Sequence, residues 1–239
     1  MPTSHSPKQN HLLAALPATE FESLSPHLQL ARMPLGEVLY ESGGQLQHVY
    51  FPTTSIVSLL YVFADGASAE IAVVGNEGVL GISLFMGGET TPSQAVVQSA
   101  GQGYRLHAQA VTDEVNRAGP TLKVLLRYTQ TMIAQVARTA ACNRHHSIDQ
   151  QLCRRLLLGL DRLPSGELAM THEMLASLLG VRREGVTAVA LKLQRAGVIR
   201  YSRGHIAVLD RQRLEGRTCE CYAVAKQEHD QLVPMRLAA

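Results

Sequence analysis

No stretch of this 239-residue chain approaches the run of ~20 apolar residues that a membrane span needs. Its first ten residues, MPTSHSPKQN, lack the charged and apolar regions of a secretory signal. Cysteine is scarce: four residues, at positions 142, 153, 219 and 221, and none earlier. They do not form the disulfide framework of a secreted domain. There is no glycine-rich phosphate loop ending in Lys-Ser/Thr and no Gly-x-Ser-x-Gly elbow. These absences predict a cytoplasmic protein without membrane contact. The carboxylates Glu77, Glu89, Asp113 and Glu114 stand beside no nucleophile or ligand set, so no catalytic residue, no resident cofactor and no enzymatic activity are expected.

Hydrophobic residues make up 46% of the chain and charged residues 18%, values ordinary for a globular protein. The length suffices for one or two domains with their own cores. The net charge of +2 says little, but its distribution says more. Residues 1–144 hold 8 Lys+Arg against 10 Asp+Glu, whereas residues 145–239 hold 14 against 10. Residues 171–213 alone hold 8 against 3, the bias a phosphate-binding surface requires.

That basic segment carries the most informative pattern. Thr171 is placed to cap a helix, and Leu175, Leu178 and Leu179 give it one apolar face. Gly180 falls where a helix ends in a left-handed residue. A second helix starts at about Arg182 and buries Val186, Val189, Ala190 and Leu193, with Arg182, Arg183, Glu184, Thr187 and Lys192 on its other face. This reads as a helix-turn-helix whose second helix enters the DNA major groove. An αα-hairpin in some helical domain is the blander alternative. Residues 197–202 and 205–209 read as two strands around the turn Arg203-Gly204, which makes a winged helix-turn-helix with a basic tip at Ser202, Arg203 and His205.

Upstream, residues 1–10 read as a loose tail and 11–25 as one or two short helices. Short Val-, Ile-, Leu- and Tyr-rich runs then predict strands at 28–33, 38–40, 48–51, 56–62, 69–74, 95–99 and 103–106, the pattern of an antiparallel sandwich or barrel. Residues 78–85 predict a short helix set into the sheet. Tyr61, Phe63, Phe85 and Tyr104 are expected in its core, with the lining of an effector pocket as their alternative. A helix at 109–118 precedes the breaker Gly119-Pro120. A long helix then runs over 121–144, in which Leu122, Leu126, Thr129, Ile133, Val136, Ala140 and Asn143 are spaced 4, 3, 4, 3, 4, 3. Such a heptad seam predicts a parallel homodimer; packing on the chain's own domain is the alternative. Residues 147–163 predict another amphipathic helix, ended by Pro164-Ser165-Gly166. A small strand at 168–170, a short helix capped by Asp210 and a partly helical tail at 217–239 complete the reading.

The fold class is therefore α+β: an antiparallel β-roll of the jelly-roll type over 1–119, a dimerisation helix and hinge over 120–146, a winged helix-turn-helix over 147–216 and a tail over 217–239. This order resembles the Crp/Fnr family of bacterial transcription regulators, most strongly through Gly180-Val181-Arg182-Arg183-Glu184-Gly185-Val186 and, in the roll, through Gly36-Glu37 and Gly78-Val79-Leu80-Gly81. The resemblance implies base contacts by Arg183 and Glu184, to which the polar face of the second helix adds Arg182 and Thr187 as assisting residues. It implies phosphate contacts by Thr171, to which the basic face and wing add Lys192, Ser202 and Arg203. The chemistry agrees, since Arg bonds guanine O6 and N7 and Glu accepts from cytosine N4. Ala188 stands where the family usually has a second base-reading Arg, which implies a different operator.

The resemblance stops at the family's cyclic-nucleotide chemistry. Val79 replaces the Glu that holds the ribose, and Glu89-Thr90-Thr91-Pro92-Ser93-Gln94 offers no cation for the phosphate. The absence of cysteine before 142 removes the family's N-terminal iron–sulfur sensor as well. Expected partners are thus a near-palindromic double-stranded operator, a second copy of the chain, and RNA polymerase as a candidate; the regulator is expected to answer to an unidentified small-molecule effector other than cyclic AMP or to act without one. A ligand-binding or protein-docking module that no longer reads DNA is the competing reading. A cupin-type metal oxygenase is a more distant one, since His48 alone lies on a plausible strand interior. Cys219-Glu220-Cys221, with Cys142, His145 and His146 nearby in the hinge, fits a thiol switch or zinc ligands less readily than it fits plain core cysteines, because the spacing is no standard zinc pattern.

Overall fold

A computed structural model describes residues 6–163 and 167–232. Two short helices, α1 (His11–Ala14) and α2 (Ala18–Leu24), lead into the roll. One of its sheets contains β1 (Gln29–Met33), β7 (Gly101–His107) and β3 (His48–Pro52) in the order β1-β7-β3. The other contains β2 (Val38–Tyr40), β6 (Gln94–Ser99), β4 (Ile56–Val62) and β5 (Ser68–Val74) in the order β2-β6-β4-β5. All pairings are antiparallel. The apolar alternation that predicts these strands faces inward, and Val57, Leu59, Ala72, Val97 and Leu106 fill the space between the sheets. The predicted helix at 78–85 is a 3-10 turn over Ile82–Met86, entered and left through the left-handed Gly81 and Gly87.

Residues 6–10 are not loose. A 3-10 turn at Pro7–Gln9 leads to Asn10, which is fully buried. The Asn10 side chain accepts from Leu12 N and Leu13 N and donates to the carbonyls of Pro52 and Gly78. One amide thus caps α1 and ties it to the roll. Residues 1–5 lie outside the described residues.

Helix α3 (Ala108–Asn116) is followed by the long α4 (Pro120–His145), with Pro120 at the first helical position, where its missing N–H costs nothing. Val124, Leu125, Tyr128 and Met132 of α4 belong to the roll core. Tyr128 lies so close to Gly78 that any side chain there would run into its hydroxyl. Of the expected seam, Leu126 (48% exposed) and Ile133 (59% exposed) face outward with Ala140 and Asn143, while Leu122 is half-buried. Two positions depart from it. Thr129 is buried and donates its hydroxyl to Leu125 O, and Val136 packs against the roll core. The helix turns about 100° per residue, so a strict 3.5 repeat drifts back onto the face that the roll covers.

Ser147 and Gln150 form a capping box that opens α5 (Ile148–Leu160). The predicted stop at 164–166 lies outside the described residues. Strand β8 (Glu167–Ala169), α6 (His172–Leu179), α7 (Arg183–Arg195), β9 (Ile199–Ser202) and β10 (His205–Val208) follow. The short α8 (Arg211–Glu215), capped by Asp210, precedes α9 (Glu220–Leu232). A second core gathers Leu156, Leu157, Leu175, Val186, Leu193 and Ile206.

The two cores are joined through a buried polar junction. Arg155 of α5 reaches Glu70 of β5, with Nε 2.8 Å from Oε1 and Nη2 3.0 Å from Oε2. Ser58 of β4 donates to the same carboxylate at 2.6 Å, and Gln98 of β6 accepts from Arg155. Both charged side chains are under a tenth exposed. Burial lowers the Arg155 pKa, and Glu70 works in the opposite direction. A second pair, Arg162 with Glu77 at 2.7 Å, lies alongside. Removing one member of such a pair strands a buried charge. Glu70→Ala is therefore expected to lower the urea-unfolding free energy by about 3–5 kcal/mol, with Glu70→Gln losing less because it keeps an acceptor. An unchanged denaturation midpoint for Glu70→Ala would contradict this role.

Candidate nucleic-acid interface

The Thr171 hydroxyl accepts from Met174 N and opens α6. Gly180, at φ 63°, ends it in the left-handed conformation. Three residues later α7 begins, with Arg182 at its N-cap. Val186, Ala190 and Leu193 are buried, which turns Arg182, Arg183, Glu184 and Ala188 toward solvent. Arg183 is 66% exposed and its Nε lies 3.7 Å from Glu173 Oε2, a loose pair that leaves the guanidinium free to rotate.

The wing is a two-residue hairpin. Ser202 pairs with His205, and the intervening Arg203 (φ 50°) and Gly204 (φ 80°) both have positive φ, as a type I′ turn requires. Arg203 thereby stands at the exposed tip beside Ser202. Strand β8 adds to the other edge of β10.

Two expected contact residues are already engaged within the chain. Thr187 is half-buried, its hydroxyl 3.0 Å from His172 Nδ1. Lys192 is 63% exposed but paired with Asp149 of α5. His172 escapes the sequence reading. It stacks on Tyr201 of the wing, with centroids 4.1 Å apart and planes at 20°, and so links α6, α7 and the wing. Its pKa is lowered, first by burial and then by the nearby Arg183 charge. The neutral imidazole is thus favoured at this junction. No local signal marks His172, because both its partners are distant in the chain.

The reading elements sit against the roll. Ser177 Oγ of α6 lies 2.7 Å from Ser68 Oγ of β5. Beyond this contact an open cleft separates Arg182, Arg183 and Glu184 from Phe63 and Gly66 of the β4–β5 hairpin. Tyr61 and Phe63 are therefore not core residues. They stand 45% and 51% exposed, edge to face with centroids 5.1 Å apart, because β4 runs past the roll core to reach this hairpin. Phe85 and Tyr104 are buried in the roll, as core packing predicts.

The cyclic-nucleotide elements are filled with the chain's own side chains. Val79 is fully buried in the apolar core. Thr91 and Ser93 are buried with their hydroxyls 3.0 Å apart. His48 packs its ring edgewise on His107, with centroids 5.3 Å apart.

Comparison with known proteins fits this geometry. A profile described as a Crp-like helix-turn-helix domain matches residues 150–217, and one described as a cyclic nucleotide-binding domain matches 31–118. A putative Crp/Fnr-family transcriptional regulator from Eubacterium rectale superposes with a TM-score of 0.70 at 18% identity, covering 87% of this chain and 98% of that one. A CRP-family transcriptional regulator from Thermus thermophilus gives 0.66 at 21% identity, over 78% and 95% of the two chains. FixK2 from Bradyrhizobium japonicum gives 0.66 at 16%, over 80% and 98%. No curated protein matches the chain. A cyclic-nucleotide-type β-roll joined to a winged helix-turn-helix defines a DNA-binding regulator rather than an enzyme. The chain belongs to the Crp/Fnr family of transcriptional regulators.

Proposed function

We propose that this regulator acts as a homodimer that reads a near-palindromic operator and answers to an effector other than cyclic AMP. The carrying observation is the solvent-facing start of α7, where Arg183 and Glu184 stand exposed next to a wing whose tip bears Arg203. In this reading Arg183 and Glu184 contact bases, with Arg182 assisting and Thr187 contributing once it leaves His172. Thr171, Ser202, Arg203 and Lys192 contact phosphates, Lys192 by exchanging Asp149 for DNA. The domains are a roll over 1–119, a dimer helix and hinge over 120–146, a reading domain over 147–216 and a tail over 217–239. The outward Leu126 and Ile133 support the dimer, since two large aliphatic side chains on one helix face gain from a partner helix.

The docking of α6 on the roll supports a conformational switch. The effector would loosen the Arg155–Glu70 junction and free the recognition helices to meet two major grooves about 34 Å apart. The buried Val79 and the cation-free stretch 89–94 support an effector without the cyclic nucleotide's phosphate. The competing reading, a docking module that no longer binds DNA, lacks a use for the basic wing.

Selection from random DNA with the purified protein tests the reading. A palindromic motif is expected, either without ligand or on repetition in cell extract; no enrichment in both would reject it. On the selected site Arg183→Ala is expected to cost about 1–3 kcal/mol and relax specificity, whereas equal losses on specific and random DNA would deny it a base contact. Ile133→Asp should shift sedimentation from dimer to monomer; an unchanged mass would place the interface elsewhere. Calorimetry with cyclic AMP should give no heat at micromolar concentrations, and micromolar affinity would overturn that part of the proposal.

A further inference from the structure

The end of α4, its cap and the start of α9 bring four ligating side chains together. Cys142, His146, Cys219 and Cys221 place one ligand atom each within 4.8 Å of all the others. The three cysteines are free and buried, and His146 is half-buried. Cys142 Sγ lies 3.6 Å from Cys219 Sγ, and Cys221 Sγ lies 3.7 Å from His146 Nδ1.

These separations match a coordination polyhedron. A tetrahedral zinc ion with Zn–S of about 2.3 Å and Zn–N of about 2.0–2.1 Å sets sulfur–sulfur edges near 3.8 Å and sulfur–nitrogen edges near 3.6 Å. Three cysteines and one histidine form one of the usual ligand sets of structural zinc. The second ring nitrogen has the partner such sites favour: His146 Nε2 lies 3.3 Å from Glu220 Oε1. We propose that Cys142, His146, Cys219 and Cys221 form a mononuclear, tetrahedral Cys3His site for Zn²⁺ that ties the C-terminal helix to the hinge.

The protonation balance is consistent with this. Burial pushes the Cys142 thiol up to about 12, with the Arg154 guanidinium pulling the other way, and burial raises Cys221 as well. Both shifts favour the neutral thiol at Cys142 and Cys221 when no metal is bound. Binding one Zn²⁺ releases three thiol protons and leaves a net charge of −1 on the centre, beside the Arg154 cation. Sequence spacing hides the set, because 77 residues separate Cys142 from Cys219. The inference stands on this cluster alone, so it survives or fails independently of the DNA reading.

Titration of the metal-free full-length protein with Co²⁺ tests it. One equivalent per chain is expected, giving the intense ligand-field bands of tetrahedral cobalt and a thiolate-to-cobalt charge-transfer band, both erased by added Zn²⁺. Cys219→Ser should weaken binding at least tenfold. His146→Cys should keep one equivalent with charge transfer about one third stronger, four thiolates replacing three. Cys153→Ser, a buried thiol outside the cluster, should bind as the parent does. A weak octahedral spectrum, no saturable binding by the parent protein, or unchanged binding in Cys219→Ser would overturn the site.

Discussion

Much of this structure depends on one buried ion pair, Arg155 with Glu70. It joins the first helix of the DNA-binding half to a strand of the roll, with Ser58 donating to the Glu70 carboxylate and Gln98 accepting from Arg155. Two charges under a tenth exposed are tolerated only when each satisfies the other, so the junction permits little drift. The parallel pair Arg162–Glu77 extends the constraint. Together they fix α6 against β5 and leave the start of α7 facing the β4–β5 hairpin. A junction held by polar groups rather than by apolar area has an alternative state, because water can take the place of each partner when the halves part. That property suits the proposed switch between the two halves.

The long helix α4 serves two masters. Val124, Leu125, Tyr128 and Met132 bind it to the roll, and Leu126 and Ile133 remain outside. Its far end carries Cys142 and the cap residue His146, where α9 returns with Cys219 and Cys221. The roll, the outward Leu126 and Ile133 and the C-terminal helix therefore all meet one long helix. The helix ends just before Ser147, where the capping box of α5 opens the second core's first helix. The reading domain has its own internal tie in His172, which holds Thr187 of the recognition helix and Tyr201 of the wing.

Local signals were legible wherever the physics was local. Thr171 caps, Gly180 turns left-handed, the wing turns at Arg203-Gly204, and alternating apolar residues face inward in the roll. The heptad spacing on α4 was legible only in part. It marks Leu126 and Ile133 but also Thr129 and Val136, which the roll covers, because periodicity records apolar faces without recording what covers them. Asn10 in a polar N-terminal stretch gave no warning that it caps α1 and bonds to the backbone at Pro52 and Gly78.

The amino-acid sequence by itself determined the order of elements, the family, the basic reading segment and the loss of the cyclic-nucleotide ligands. The elements and the basic segment follow from residue type and from spacings within one or two turns or strands, and the family and the missing cyclic-nucleotide residues from the resemblance of short motifs. The tertiary structure alone decided that Arg155 meets Glu70, that His172 bridges helix and wing, that Tyr61 and Phe63 stand exposed, and that Cys142, His146, Cys219 and Cys221 converge at the end of α4. Those partners lie 15 to 85 residues apart in the examples of His172 with Thr187 and Arg155 with Glu70. Such pairings depend on how whole elements pack, and no local periodicity encodes them.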